Sequence, residues 1–163
     1  MRKILVFGNS GSGKTTLTSQ LCAAEGLAHL DLDSLAWLAT DPPQRAPLET
    51  SAEKIQLFAQ QNEAWVIEGC YSDLLEIAAP QASEIIFMNL PVAACVENAR
   101  RRPWEPHKYE SKEAQDQNLE MLIGWIEQYD ERDDVFSSRA HRAFYDQFPG
   151  QKRMLTDNER SPS

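Results

Sequence analysis

The stretch Val6-Phe7-Gly8-Asn9-Ser10-Gly11-Ser12-Gly13-Lys14-Thr15 constrains this chain more than any other. It fits G-x-x-x-x-G-K-[ST], a pattern whose backbone N–H groups cradle phosphates. Its flanks supply the required context. Ile4 to Phe7 form a continuous apolar run, as a strand buried on both faces would. After Thr15, the residues Leu17, Leu21 and Ala24 fall at i, i+4 and i+7, which is helical spacing. Strand, glycine-rich turn and helix follow one another directly.

Each residue type in the loop has a chemical reason. Gly8, Gly11 and Gly13 permit torsions that a side chain would forbid, so the loop can close on an anion. Successive N–H groups then point inward, and the helix N-terminus adds partial positive charge. Asn9, Ser10, Ser12 and Thr16 complete the nucleotide cradle, with Ser10 and Ser12 small enough not to block it. Lys14 is expected to reach the β- and γ-phosphates of ATP, and the Thr15 hydroxyl to ligate Mg²⁺.

A length of 163 residues suggests one domain with a proper core. The net charge of −9 argues against broad binding to nucleic acid or to an anionic membrane, so any anion site must be local. Cys22, Cys70 and Cys95 are odd in number and lack metal-like spacing, which reads as reduced thiols in a cytoplasmic protein. The first strand consumes the N-terminus, leaving no room for a signal peptide, and no apolar run approaches membrane-spanning length.

Further along, Ala28 to Leu32 reads as a second strand. Asp31 and Asp33 stand at i, i+2 and would share a face of an extended segment. Either they lie in a solvated turn, or a metal shell or a substrate hydroxyl meets them. His29 reads as a structural histidine. Three prolines make Ala39 to Pro47 a loop, and Thr50-Ser51-Ala52-Glu53 is a capping box opening a helix to about Gln61. Loop and helix together suggest an acceptor-side insertion over 33–64.

Trp65 to Gly69 is a third strand, closed by Glu68, an acid suited to the Mg²⁺ side of such a loop. Glu84 to Leu90 is a fourth, and Pro91 starts the helix that ends in Arg100-Arg101-Arg102. That cluster is either a solvated helix end or a clamp on the transferring phosphoryl group. The polar, proline-containing segment 104–112 is expected to be mobile. A helix from about Ser111 carries Leu119, Leu122, Ile123 and Ile126, and another spans about Val135 to Phe148, its Phe136, Phe144 and Phe148 assigned to the core. Lys152 to Leu155 is a fifth strand, with Thr156-Asp157-Asn158 near a nucleotide base and Ser161-Pro162-Ser163 frayed.

With these residues in place the chain resembles the small phosphate-loop kinases built on the adenylate kinase and shikimate kinase plan. Within them it looks most like the bacterial DNA topology modulation protein group. The likeness is carried by Gly8-x-x-Gly11-x-Gly13-Lys14-Thr15, Leu32-Asp33-Ser34-Leu35-Ala36-Trp37, Trp65-Val66-Ile67-Glu68-Gly69-Cys70-Tyr71, Arg100–Arg102 and Trp125-Ile126-x-x-Tyr129. Glu68 stands where that group usually carries Asp, and Leu38 to Pro43 replace its Pro-Gly-Trp. The resemblance implies an α/β phosphate-loop sandwich, its parallel five-stranded sheet in order 2-3-1-4-5 with helices on both faces. It also implies an acceptor site between the Asp33 region and the third strand, an arginine-bearing lid over about 100–112, Mg²⁺ service for Asp31 and acceptor service for Asp33.

The resulting expectation is an ATP- and Mg²⁺-dependent kinase of a small molecule or nucleotide. Lys14 and an arginine from Arg100–Arg102 neutralise the γ-phosphoryl, Thr15 and Glu68 hold Mg²⁺, and Asp33 orients the acceptor hydroxyl. The alternative is a non-catalytic nucleotide sensor acting through a protein partner.

Overall fold

The computed structural model describes residues 2–40, 44–102, 106 and 109–158. Its centre is a parallel sheet of β1 (Lys3–Gly8), β2 (Ala28–Asp31), β5 (Trp65–Gly69), β6 (Glu84–Met88) and β7 (Gln151–Leu155). The strands lie in the order β2-β5-β1-β6-β7, every neighbouring pair parallel. Set aside the separate hairpin of β3 (Trp37–Leu38) and β4 (Gln44–Arg45), and this is the expected order 2-3-1-4-5.

Strand alternation divides the core in two. Leu5, Phe7, Ile67, Ile85 and Phe87 face one side, where α2 (Asp33–Ala36), α3 (Leu48–Gln61), α4 (Ser72–Ala78) and α7 (Ser138–Gln147) cover them. Ile4, Val6, Val66, Ile86 and Met88 face the other, under α1 (Lys14–Glu25), α5 (Val92–Arg100) and α6 (Lys112–Glu127). With both faces covered, β1 is apolar and buried from Ile4 to Phe7, as its sequence requires. Phe7 stacks on Phe87 at 4.8 Å and takes Phe144 edge-on at 5.1 Å.

Several boundaries differ from the sequence reading. The capping-box reading is corrected: α3 begins at Leu48, because Pro47 ends the preceding extended chain and its carbonyl accepts from Ser51 N. Thr50 and Ser51 therefore lie inside the first turn, and the Ser51 hydroxyl bonds the Leu35 carbonyl. The last helix starts at Ser138, since Asp134 holds 134–137 in a turn and Ser137 caps Ala140 N. The proline-rich loop after Ala36 contains the β3–β4 hairpin, and α4 occupies a stretch the sequence reading left unassigned. Of the anticipated lid, residues 103–105, 107 and 108 lie outside the described residues, as do Asp41 to Pro43 and Ser161 to Ser163.

Candidate active site

The phosphate loop lies between the end of β1 and the start of α1, at the carboxyl ends of the strands. Its carbonyls are held away from the cradle, almost one by one. Lys14 Nζ donates to the carbonyls of Gly8 (3.1 Å) and Asn9 (2.7 Å), and Asn9 O also accepts from Ser12 N. Asn98 on α5 donates to Gly11 O at 2.9 Å, and Asn158 donates to Ser12 O at 3.1 Å. Gly13 O accepts the first bond of α1. With these carbonyls engaged, the loop's N–H groups other than that of Ser12 are the dipoles left to face an anion. Gly11 must be glycine: its φ is +78°, and a Cβ would lie 2.5 Å from the Cys95 carbonyl. Asn9, buried, ties the loop to α6 through the Ile126 carbonyl.

Glu68 closes β5 beside this loop, 2% exposed. Thr15 Oγ1 donates to its Oε1 at 2.8 Å, and His29 Nε2 meets its Oε2 at 2.7 Å. Burial works to raise the Glu68 pKa, but the bonds from His29 and Thr15 outweigh it and hold the carboxyl below its usual value. The same bond to Glu68 raises the His29 pKa against the pull of burial. His29 is thus satisfied by Glu68, itself a candidate functional acid.

Asp31 and Asp33 do not share a face of an extended strand. Leu32 between them is helical in conformation, and Asp31 Oδ1 accepts from Asp33 N at 2.9 Å. This tight turn still brings both to one cavity of about 180 Å³, lined also by Ser10, Lys14, Trp37, Tyr71, Trp125 and Phe136. Tyr71 OH donates to Asp33 Oδ1, and Trp37 Nε1 donates to Tyr71 OH at 2.8 Å. The aromatic rings form a continuous wall, with Tyr71–Phe136 at 5.2 Å and Trp125–Phe136 at 5.3 Å, both edge-on. Phe136 belongs to this wall, whereas Phe144 and Phe148 are core, as the sequence suggested.

A second cleft of about 390 Å³ opens on the other side of the loop, lined by Gly11, Gly13, Thr16, Asn98, Arg101, Arg102 and Asn158. The three arginines separate here. Arg101 and Arg102 line this cleft, Arg101 pairing with Glu97 at 2.8 Å. Arg100 faces Glu120 on α6 at 3.7 Å and lines neither cavity. Asn158 sits in this cleft beside the phosphate loop, its amide on the Ser12 carbonyl.

No protein-family model matches the chain, and no curated protein matches it. Among solved structures, shikimate kinase from Bacteroides thetaiotaomicron matches with a TM-score of 0.58 at 18% identity, covering 99% of this chain and 90% of that one. Shikimate kinase from Acinetobacter baumannii, in complex with shikimate, gives 0.55 at 14%, covering 98% and 86%. The Aquifex aeolicus enzyme gives 0.54 at 16%, covering 98% and 88%. The fold is that of shikimate kinase.

Within this shikimate kinase fold, the sequence reading missed Asn98 and the Tyr71–Trp37 pair. Asn98 had a signal, a polar residue beside Ala99 and Cys95 on an otherwise apolar inner face. The Tyr71 contact had none, because it depends on how the turn after β5 meets α2. The donor set also suits Mg²⁺. Thr15 spends its proton on Glu68, which leaves its oxygen lone pairs outward, and Asp31 stands on the cavity wall. Among the described residues no cluster of three His, Cys, Asp or Glu side chains forms a closed metal cage. A cation that keeps most of its water needs no such cage. No helix among the described residues is long and apolar enough to cross a membrane.

Proposed function

We propose that this chain is an ATP- and Mg²⁺-dependent kinase that transfers the γ-phosphoryl group to a hydroxyl of a small molecule. The observation that carries the reading is Asp33. Its carboxylate, held by Tyr71, faces the same cavity as Lys14 and Ser10 of the phosphate loop. A nucleotide seated on the loop N–H groups would place its terminal phosphate at the mouth of that cavity, beside an acid able to orient a hydroxyl. Lys14 would leave the Gly8 and Asn9 carbonyls for the phosphates, and Arg101 and Arg102 would flank the nucleoside in the second cleft. Thr15, Glu68 and Asp31 would hold Mg²⁺, which screens phosphate charge when bound. The shikimate kinase fold supports this reading, and the residue pattern supports placement with the topology modulation group. Three unpaired cysteines suit a reducing cytoplasm, with burial pushing Cys70 and Cys95 up to about 11.

The test is ATP consumption with and without a library of hydroxyl-bearing metabolites. Acceptor-dependent turnover is the expected result. ATP binding with no turnover stimulated by any acceptor would overturn the kinase in favour of a sensor.

A further inference from the structure

Asp33 is aimed by Tyr71, so whatever places Tyr71 also places the acceptor acid. Tyr71 OH donates to Asp33 Oδ1 and accepts from Trp37 Nε1. The backbone on either side of Tyr71 is pinned from the far end of the chain. Just after β5 ends at Gly69, Cys70 O accepts from His141 Nε2 at 2.8 Å, and Ser72 N donates to Val135 O at 3.0 Å. A carbonyl can only accept, so Nε2 carries the ring proton. Nδ1 of the neutral imidazole then accepts from Tyr129 OH at 2.7 Å.

His141 is a costly residue for its place. It is fully buried among rings, with the centroids of Tyr129, Phe7 and Phe87 at 5.4, 5.7 and 6.0 Å. Phenylalanine would fill such a position without desolvating a polar group. The imidazole instead joins Tyr129 to the turn that carries Tyr71, one nitrogen to each. Tyr129 is itself fixed at the end of α6. Its N–H donates to Ile126 O, the carbonyl that also accepts from Asn9 Nδ2 of the phosphate loop, and its own carbonyl accepts from Ser138 N. One helix end therefore grips the phosphate loop directly and, by way of His141, the turn that aims Asp33.

We propose that His141 is a positioning residue for phosphoryl transfer: through the Cys70 carbonyl it fixes the turn that carries Tyr71, and through Tyr71 it sets where the Asp33 carboxylate stands relative to the phosphate loop. His141 lines neither cavity, so it acts only through these neighbours. The consequence for transfer rests on the kinase reading, whereas the hold on Tyr71 is measurable without turnover.

The Trp37 indole proton reports on that hold, because it is donated to the Tyr71 hydroxyl. Its NMR resonance in the full chain is identified by its loss in Trp37→Phe. His141→Phe keeps a ring among rings and deletes both hydrogen bonds. It should move the Trp37 indole resonance upfield, as the bond to Tyr71 weakens, and leave ADP·Mg²⁺ affinity by calorimetry unchanged. ATP consumption with the library of hydroxyl-bearing metabolites should lose about tenfold or more in kcat at unchanged KM for ATP, since a misplaced acid slows the step without loosening the nucleotide. His141→Gln, whose amide can donate to Cys70 O, should restore the resonance and most of the rate. Tyr129→Phe removes a single hydroxyl and should move both readouts in the same direction, which keeps the test open if His141→Phe does not fold. Phe144→Leu, in the core on the same helix, should lower the melting temperature and leave the Trp37 resonance in place. A Trp37 resonance unmoved in His141→Phe and Tyr129→Phe, an equal movement in Phe144→Leu, a full rate in folded His141→Phe, or His141→Gln no better than His141→Phe would each overturn the assignment. The expected indole shifts with no acceptor-stimulated ATP consumption in the unaltered protein would leave His141 holding the turn and defeat the kinase reading instead.

Discussion

Asp33 faces opposing demands. A carboxylate beside a phosphate loop repels the nucleotide, so it weakens ATP binding unless a cation or an acceptor answers it. Tyr71 already donates one hydrogen bond to it, and burial together with Asp33 raises the Tyr71 pKa, keeping that hydroxyl a donor. Asp33→Asn should therefore leave ATP·Mg²⁺ affinity unchanged or slightly better by calorimetry. Transfer in the same protein should fall by roughly 10²–10⁴-fold, the usual effect of a positioned acid–base group. Lost ATP binding or unaltered transfer would remove Asp33 from the acceptor role. Lys14→Ala should abolish turnover too but, unlike Asp33→Asn, should weaken ATP binding, while the melting temperature holds because the hydrogen bonds of Nζ are to loop carbonyls. The positions of Lys14, Thr15, Asp31, Asp33 and Glu68 were readable because each lies at or just after the carboxyl end of a strand, although the turn at Leu32 and not strand alternation brings Asp31 and Asp33 to one cavity. Tyr71, Trp125 and Phe136 were not, since their meeting depends on three connections whose geometry no periodicity encodes.

At the scale of elements, the loop's orientation is set by α5 and by the turn after β7. Asn98 Nδ2 bonds both Gly11 O and Asn158 Oδ1, the latter at 2.7 Å, while Asn158 Nδ2 bonds Ser12 O. Removing either amide frees a carbonyl to turn toward the phosphate. Asn98→Ala and Asn158→Ala should each weaken ATP binding by about fivefold, near the 1 kcal/mol of one hydrogen bond. The double variant should lose clearly less than the sum, because the two amides act as one unit. Strict additivity in calorimetric affinities would disprove that coupling. The elements themselves were largely legible. Apolar runs such as Trp65–Ile67 and Ile85–Met88 admit little but buried strands, and both carry the sheet. The short α4 was not, at seven residues too brief to show a helical period, although Leu74, Leu75 and Ala78 are all buried. The hairpin β3–β4 was hidden by prolines and has only two residues per strand.

For the molecule as a whole, two histidines should shape stability against pH from opposite sides. His141 is fully buried on α7, between Tyr129 and the turn that carries Tyr71. Burial lowers its pKa to about 4, so it is neutral in the fold; Nε2–H donates to Cys70 O at 2.8 Å, and Nδ1 accepts from Tyr129 OH at 2.7 Å. The unfolded chain takes up a proton near the ordinary value of 6.5 and the folded one does not, so stability falls as pH drops from about 6.5 to about 4. The full loss approaches about 3 kcal/mol, at 1.36 kcal/mol per pKa unit. His29 has the opposite sign. Its folded pKa is raised by Glu68, so its contribution is complete below 6.5 and disappears as pH climbs through the raised value. Glu68 adds an acid loss only below its ordinary 4.5. Urea unfolding across pH 4 to 8 should therefore trace a maximum near 6.5. His141→Gln should flatten the limb between 4.5 and 6.5, and His29→Gln the limb above 6.5, whatever each does to absolute stability. The slope is what decides, because a packing loss shifts the whole curve while a lost titration removes one side of it. An acid limb as steep in His141→Gln as in the unaltered protein would mean that His141 is not the group that fails to protonate.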